Sequence, residues 1–135
     1  MSPLVAPPLA GRVLGSVEDA FVTAEWRDAG GPPGPRRLIA PLHLHHSDDE
    51  AWYVLEGTLH VQVGDNEVQA AAGSGVFVPR GTPHTYWNPG PGPTRYLLIM
   101  TSRIYQLIQA IHAMQERTPA ALAEVFVKYE SQLLG

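Results

Sequence analysis

Between Thr58 and Val63, the apolar residues Leu59, Val61 and Val63 alternate with His60 and Gln62. That two-residue period predicts a strand with one face buried. Short β-prone stretches of similar length recur at residues 21–26, 38–44, 51–55, 68–71, 76–78, 85–87 and 96–100. Glu56-Gly57-Thr58 and Gly64-Asp65-Asn66 stand between consecutive stretches and predict hairpins. Residues 28–35, with their Gly-Pro and Pro-Pro steps, predict a loop. The rhythm as a whole predicts an antiparallel sandwich or barrel. Beyond Thr101 the period changes. Residues 102–117 contain neither Gly nor Pro, and Ile104, Leu107, Ile108 and Ile111 recur at helical spacing, with Ser102 the expected cap. Thr118-Pro119 predicts the start of a second helix through residues 120–133, with Leu122, Val125, Phe126 and Tyr129 on its apolar face. The expected organisation is a flexible arm over residues 1–11, a β-barrel over 12–101 and a helical appendage of the same domain over 102–135.

Composition narrows the chemistry. With 13 glycines and 13 prolines in 135 residues the chain is a poor helical bundle, because both residues break helix interiors. The absence of cysteine excludes disulfides, thiolate metal sites and cysteine nucleophiles, leaving His, Asp and Glu to act. A formal net charge of −4 without a basic stripe argues against nucleic acid as a partner. No apolar run reaches membrane-spanning length, and the proline-bearing start lacks the cationic segment of a signal peptide, so a cytoplasmic location is expected. There is no phosphate-cradling P-loop and no G-x-S-x-G nucleophile elbow.

The candidate chemistry sits in the histidines. His43 and His45 are two apart in a β-prone stretch, so on a strand both project to one face. Glu50 follows after a polar turn and heads the next stretch, where a hairpin-like connection brings it alongside the imidazoles. His84 comes later, in a segment shaped by Pro79, Gly81 and Pro83. Three imidazoles and a carboxylate suit a divalent transition metal, with ligand positions left open.

The spacing His43-x-His45-x4-Glu50-x6-Gly57, followed by Gly73-x5-Pro79-x-Gly81-x2-His84-x3-Asn88, resembles the two motifs of the cupin superfamily. Fifteen residues separate Gly57 from Gly73, the shortest spacer usual in that family. One position departs: Arg37 stands where the first motif usually begins with Gly, a turn position rather than a metal ligand. The resemblance implies an all-β double-stranded β-helix, or jelly-roll barrel, carrying two C-terminal α-helices here. It also implies one divalent metal (Fe, Ni, Mn, Zn, Cu or Co) held by His43, His45, Glu50 and His84. The tail from Thr118 to Gly135 is similar to that of small cupins labelled quercetin dioxygenase-like.

Other residues receive simpler expectations. Trp52 and Val54 share the parity of Glu50, and Tyr86 that of His84, so Trp52 and Tyr86 are the expected pocket lining, with Phe77 added to them as an aromatic candidate on no parity argument. His46 is expected at the surface or the pocket rim, and His60 and His112 in solvent. Asn88 is expected to order its turn, and Asp48 and Asp49 to form a charged turn, with acceptance from a ligand histidine as the alternative for either. Tyr53 and Leu55, facing away from the interior, together with the two helices, favour a homodimer. The leading expectation is a metal-dependent dioxygenase-like enzyme acting on a small aromatic or enol-type ligand, with Glu50 also accepting a proton. The alternatives are a non-enzymatic ligand-binding or sensor protein and a metal-dependent isomerase or lyase.

Overall fold

The computed structural model describes residues 5–135. The strands are β1 (Val13–Leu14), β2 (Phe21–Asp28), β3 (Leu38–His45), β4 (Glu50–Glu56), β5 (Thr58–Val63), β6 (Asn66–Ala71), β7 (Gly75–Val78), β8 (His84–Trp87) and β9 (Thr94–Thr101). The helices α1 (Ser102–Ala113) and α2 (Pro119–Lys128) follow, and then a last strand, β10 (Ser131–Leu133). Two antiparallel sheets face each other, one in the order β1-β2-β9-β4-β7 and the other β10-β3-β8-β5-β6. This is the jelly-roll arrangement, with each sheet assembled from strands distant in sequence.

The core lies between the sheets and follows strand parity. Val22 and Ala24, Trp52 and Val54, Leu59 and Val61, and Leu98 and Met100 all point inward and are buried. Each large apolar side chain removed from water in this way contributes about 1.5–3 kcal/mol before ordering costs. Gly57 shows how the corners are made. It sits at φ +77°, and a Cβ there would run into the Pro93 carbonyl and the backbone of Thr94, so the β4–β5 turn requires glycine.

Two boundaries differ from the sequence expectation. The cap of α1 is Thr101, one residue earlier than expected, whose hydroxyl accepts the Ile104 N–H. The second helix stops at Lys128 instead of running to residue 133. Glu130 takes the left-handed conformation at φ +54°, and β10 then pairs with β3 through Ser131↔His45, Gln132↔Leu44 and Leu133↔His43. Helical spacing is satisfied by Leu122 and Phe126, but the outer ladder of β3 needs partners, and the tail supplies them.

Of the expected arm, residues 1–4 lie outside the described residues. The rest is tied back where it meets the barrel: the Gly11 N–H donates to the Glu25 carbonyl, and the Arg12 guanidinium donates to the Pro8 and Leu9 carbonyls. The helices lie against the barrel, with α1 contacting β2, β9 and α2. Among the described residues, no helix is long and apolar enough to cross a membrane.

Candidate metal centre

His43 and His45 come from β3, His84 from β8 and Glu50 from β4 in the opposite sheet. His43 and His84 are direct cross-strand partners. Two register shifts in β3 bracket the stretch before His43, where Pro41 lacks a ladder N–H and the strand bulges. One ligand atom from each of the four side chains lies within 4.8 Å of the others, and all four residues are buried. Glu50 reaches this point because it pairs with Met100 on one side and Val78 on the other, which aims its carboxylate between the sheets.

Hydrogen bonds fix the tautomers. His84 Nδ1 donates to the Thr82 carbonyl at 2.9 Å, and His43 Nδ1 donates to the Pro41 carbonyl. His45 Nδ1 meets Ser131 Oγ at 2.7 Å, and the Ser131 hydroxyl donates to the Tyr129 carbonyl. The serine oxygen therefore accepts, and His45 Nδ1 carries its proton. With all three Nδ1 atoms protonated, the three Nε2 atoms turn to the centre of the cluster, where each can hold a proton or a metal ion.

That arrangement fits a cation. His84 Nε2 lies 3.0 Å from Glu50 Oε1, and His45 Nε2 lies 3.3 Å from the same oxygen without hydrogen-bond alignment. Lone pairs facing a carboxylate repel unless a proton or a metal ion lies between them. Burial resists protonation of His43, and the neighbouring His84 and His45 add to that, lowering its pKa to about 3. Burial also resists ionisation of Glu50, but hydrogen bonds and charge from the His45 and His84 rings outweigh this and bring its carboxyl to about 2, a proton then standing where a metal ion would sit. The cluster is preset with His43 neutral and Glu50 anionic, and with all three Nε2 atoms inward, an arrangement in which these groups bind a divalent metal once the remaining protons leave.

Above this floor opens a cavity of about 820 Å³. Trp52, Tyr86, Tyr96 and Leu98 line it from the barrel, and Leu107 and Phe126 from the helices. The Phe126 ring stands edge-on to His43, with centroids 5.4 Å apart. The helical appendage thus forms one wall of the site. Burial pushes the Tyr86 hydroxyl well above its ordinary value and raises Tyr96 to about 12, so both phenols stay protonated.

The other expected positions divide. Trp52 and Tyr86 line the cavity as their parity predicts. Phe77 does not: it is 61% exposed on the outer face, because Val78, not Phe77, shares the inward parity with Glu50 on the neighbouring strand. His46 is exposed, and His60 is partly covered beside Gln69. His112 is exposed at the cavity mouth. Asn88 orders its turn, with its side chain bonded to the Gly90 N–H and the Gly92 carbonyl. Asp48 and Asp49 form the expected charged turn, paired with Arg103 and Arg80 and not with a ligand histidine. The supporting residue that sequence reading missed is Ser131. It lies 86 residues from His45 in a tail expected to be helical, so no local pattern signals the contact.

We expect Ser131→Ala to weaken metal binding about 10–100-fold, the usual cost of losing a hydrogen bond that orients a ligand histidine. Competition against a chromophoric chelator would measure it, with circular dichroism confirming the fold; an unchanged affinity would show that β10 supports the strand only.

Residues 34–100 match the Cupin_2 family model, described as a cupin domain. The chain belongs to the cupin family. Among curated proteins it is similar to mannose-1-phosphate guanylyltransferase 2 of Escherichia coli O157:H7, 37% identical over 49 residues, or 36% of this chain and 10% of that one. It is also similar to the uncharacterized protein MJ1618 of Methanocaldococcus jannaschii, 30% identical over 66 residues, or 49% of this chain and 50% of that one. The matches thus span a tenth to a half of these curated relatives. Among solved structures, this cupin superposes on the protein TT1209 of Thermus thermophilus with a TM-score of 0.53 and 27% identity, covering 61% of this chain and 72% of that one.

Proposed function

We propose that this cupin is a metal-dependent dioxygenase-like enzyme acting on a small aromatic or enol-type substrate. One observation carries the reading: three buried imidazoles and a carboxylate converge at the floor of a largely apolar cavity, with His45 Nε2 left without a hydrogen-bond partner. His43, His45, Glu50 and His84 would hold one divalent transition metal. Bound there, the metal supplies Lewis-acid charge and, if redox-active, electron transfer with O₂.

The protein's own groups have definite tasks. Three neutral imidazoles and one carboxylate leave a divalent site with net positive charge, which selects an anionic oxygen such as an enolate. Glu50, ionised at neutral pH, accepts the hydrogen bond of an arriving enol hydroxyl and favours loss of its proton. Trp52, Leu98, Leu107 and Phe126 exclude water and hold the apolar body of the substrate. Of the arginines at its edge, Arg95 is paired with Glu25 and Glu56.

The reading is tested by loading metal-free protein with iron, nickel, manganese or copper and following O₂ consumption with flavonols and related diols. Uptake with at least one metal–substrate pair is expected, and none with any pair rejects it. Thermal stabilisation by the same compounds without uptake would mark a ligand-binding protein instead.

We further propose a homodimer. Phe21, Tyr53, Phe77 and Ile99 lie exposed on the outer face of the β1-β2-β9-β4-β7 sheet, an apolar face that a second copy would cover. Light scattering should give twice the chain mass, and Phe77→Asp should halve it. A monomeric wild type overturns the proposal.

A further inference from the structure

The second helix ends in a conformation that its sequence does not favour. Glu130, the residue after the Tyr129 cap, takes φ +54°, in the left-handed region that glycine usually fills at a helix end. Among the described residues, Ala10 is the only other non-glycine residue with a positive φ. Such strain persists only where the surroundings hold it, so the contacts of the Glu130 side chain show what holds it there.

Its Oε1 accepts the Ser47 hydroxyl at 2.9 Å, and its Oε2 accepts the Arg103 guanidinium at 2.6 Å. Its backbone carbonyl accepts the His46 N–H at 2.8 Å. His46 and Ser47 belong to the turn that joins His45 to Glu50, and Arg103 lies in the first turn of α1, the helix that walls the cavity. The same guanidinium also donates to Asp48 in that turn. Ser131 follows Glu130 directly, pairs with His45 across the ladder and accepts the His45 Nδ1–H. The carboxylate thus locks the start of β10 to the turn that connects two residues of the cluster. Stability alone does not account for it. Both partners of the ion pair are exposed, and exposed pairs contribute little against the strain of a left-handed glutamate.

We propose that Glu130 is a positioning residue for the metal cluster: its carboxylate, bridging Ser47 and Arg103, holds Ser131 where it fixes the His45 ring. Glu130 does not reach the cluster with its own side chain and acts through Ser131. Glycine at this position would keep the carbonyl that accepts the His46 N–H and would relieve the backbone, so β10 can still pair with β3. What it loses is the fixed placement of the serine oxygen against the imidazole. A ring free to swing aims Nε2 at the metal for only part of the time, and affinity falls with that fraction. Through Arg103 and Glu130, the helical appendage is thus coupled to His45 as well as walling the cavity. The inference rests on reading His43, His45, Glu50 and His84 as a metal centre.

The test is Glu130→Gly in the full chain, with divalent cobalt as the probe because its visible bands report ligand geometry. Metal-free Glu130→Gly should unfold in urea at the wild-type midpoint or above it, since it gives up an exposed pair and gains an unstrained backbone. It should nevertheless bind cobalt about tenfold more weakly, with the visible bands of the bound ion shifted. Glu130→Gln keeps an acceptor for Ser47 and loses the charge facing Arg103, so its affinity should fall between the two. Glu130→Gly/Ser131→Ala should bind no more weakly than Ser131→Ala alone, because the first residue acts through the second. One readout needs no metal: the His45 Nδ1–H signal in NMR, sharp in the metal-free wild type, should broaden in Glu130→Gly through exchange with water. Unchanged cobalt affinity in Glu130→Gly, losses that add in the double variant, or a fall in stability alongside the fall in affinity overturns the proposal. The two readings fail separately. A wild type that takes up no cobalt rejects the metal centre, and the imidazole signal then still decides whether Glu130 holds His45.

Discussion

His84→Ala should reduce bound divalent metal from about one per chain to a small fraction, with the β-sheet signal in circular dichroism retained. The expected loss in affinity exceeds the 10–100-fold typical of removing a supporting hydrogen bond, since a donor atom itself is deleted. His84 is 1% exposed, and its Nδ1 is held by the Thr82 carbonyl, so its Nε2 reaches the cluster in one orientation. The side chain also packs against Trp52, so some stability is lost with it. A milder His84→Gln, which fills more of the space, separates the two effects: metal should still be lost, while stability recovers in part. Elemental analysis after dialysis measures the first, and denaturant unfolding the second. Unchanged metal content in both variants would place the site elsewhere.

The second large effect is acid lability of the metal-free protein. His43 has its pKa lowered by burial and by His84 and His45 from 6.5 to about 3, so the unfolded chain takes up a proton that the folded chain refuses. The associated stability is fully present above pH 6.5 and is lost as pH falls towards 3. A tenfold difference in proton affinity between the folded and unfolded chain is worth about 1.4 kcal/mol, so His43 alone accounts for a loss on the order of 3–5 kcal/mol. Glu50, lowered from 4.5 to about 2, adds in the same direction below pH 4.5. For a domain with about 5–15 kcal/mol in hand, this is a large share. Urea unfolding at pH 7, 5 and 4 should show a steep decline in stability, and His43→Asn should flatten it. A wild-type stability that does not change between pH 7 and 4 would mean that the imidazole is solvated. Bound metal should leave over the same range, because protons compete for the ligand atoms.

Much of this protein is legible in its sequence, for a definite reason. Strand parity is a local property. His43 with His45, Glu50 with Trp52 and Val54, and Leu59 with Val61 each share a face by the two-residue period alone, and all prove to be buried. The spacing of histidines, glutamate, glycines and prolines likewise records corners that only a few residue types can turn. Where parity was set aside, as for Phe77, the expectation failed. Where a local signal competed with a distant one, the distant one decided. Residues 129–133 lie within a helical period, yet they end in a strand because β3 offers unpaired backbone groups.

The sequence by itself determined the four candidate ligands, the alternation that buries them and the turns between strands, because these depend on neighbours in the chain. The tertiary structure decided what depends on contacts across it. It brought Glu50 over from the opposite sheet and fixed each imidazole proton on Nδ1 through Pro41, Ser131 and Thr82. It also made α1 and α2 a wall of the cavity, and it set Trp52 beside Tyr86, whose hydroxyl meets that of Tyr96. Hydrogen-bond satisfaction is a property of a site in three dimensions, and no period along a chain encodes it.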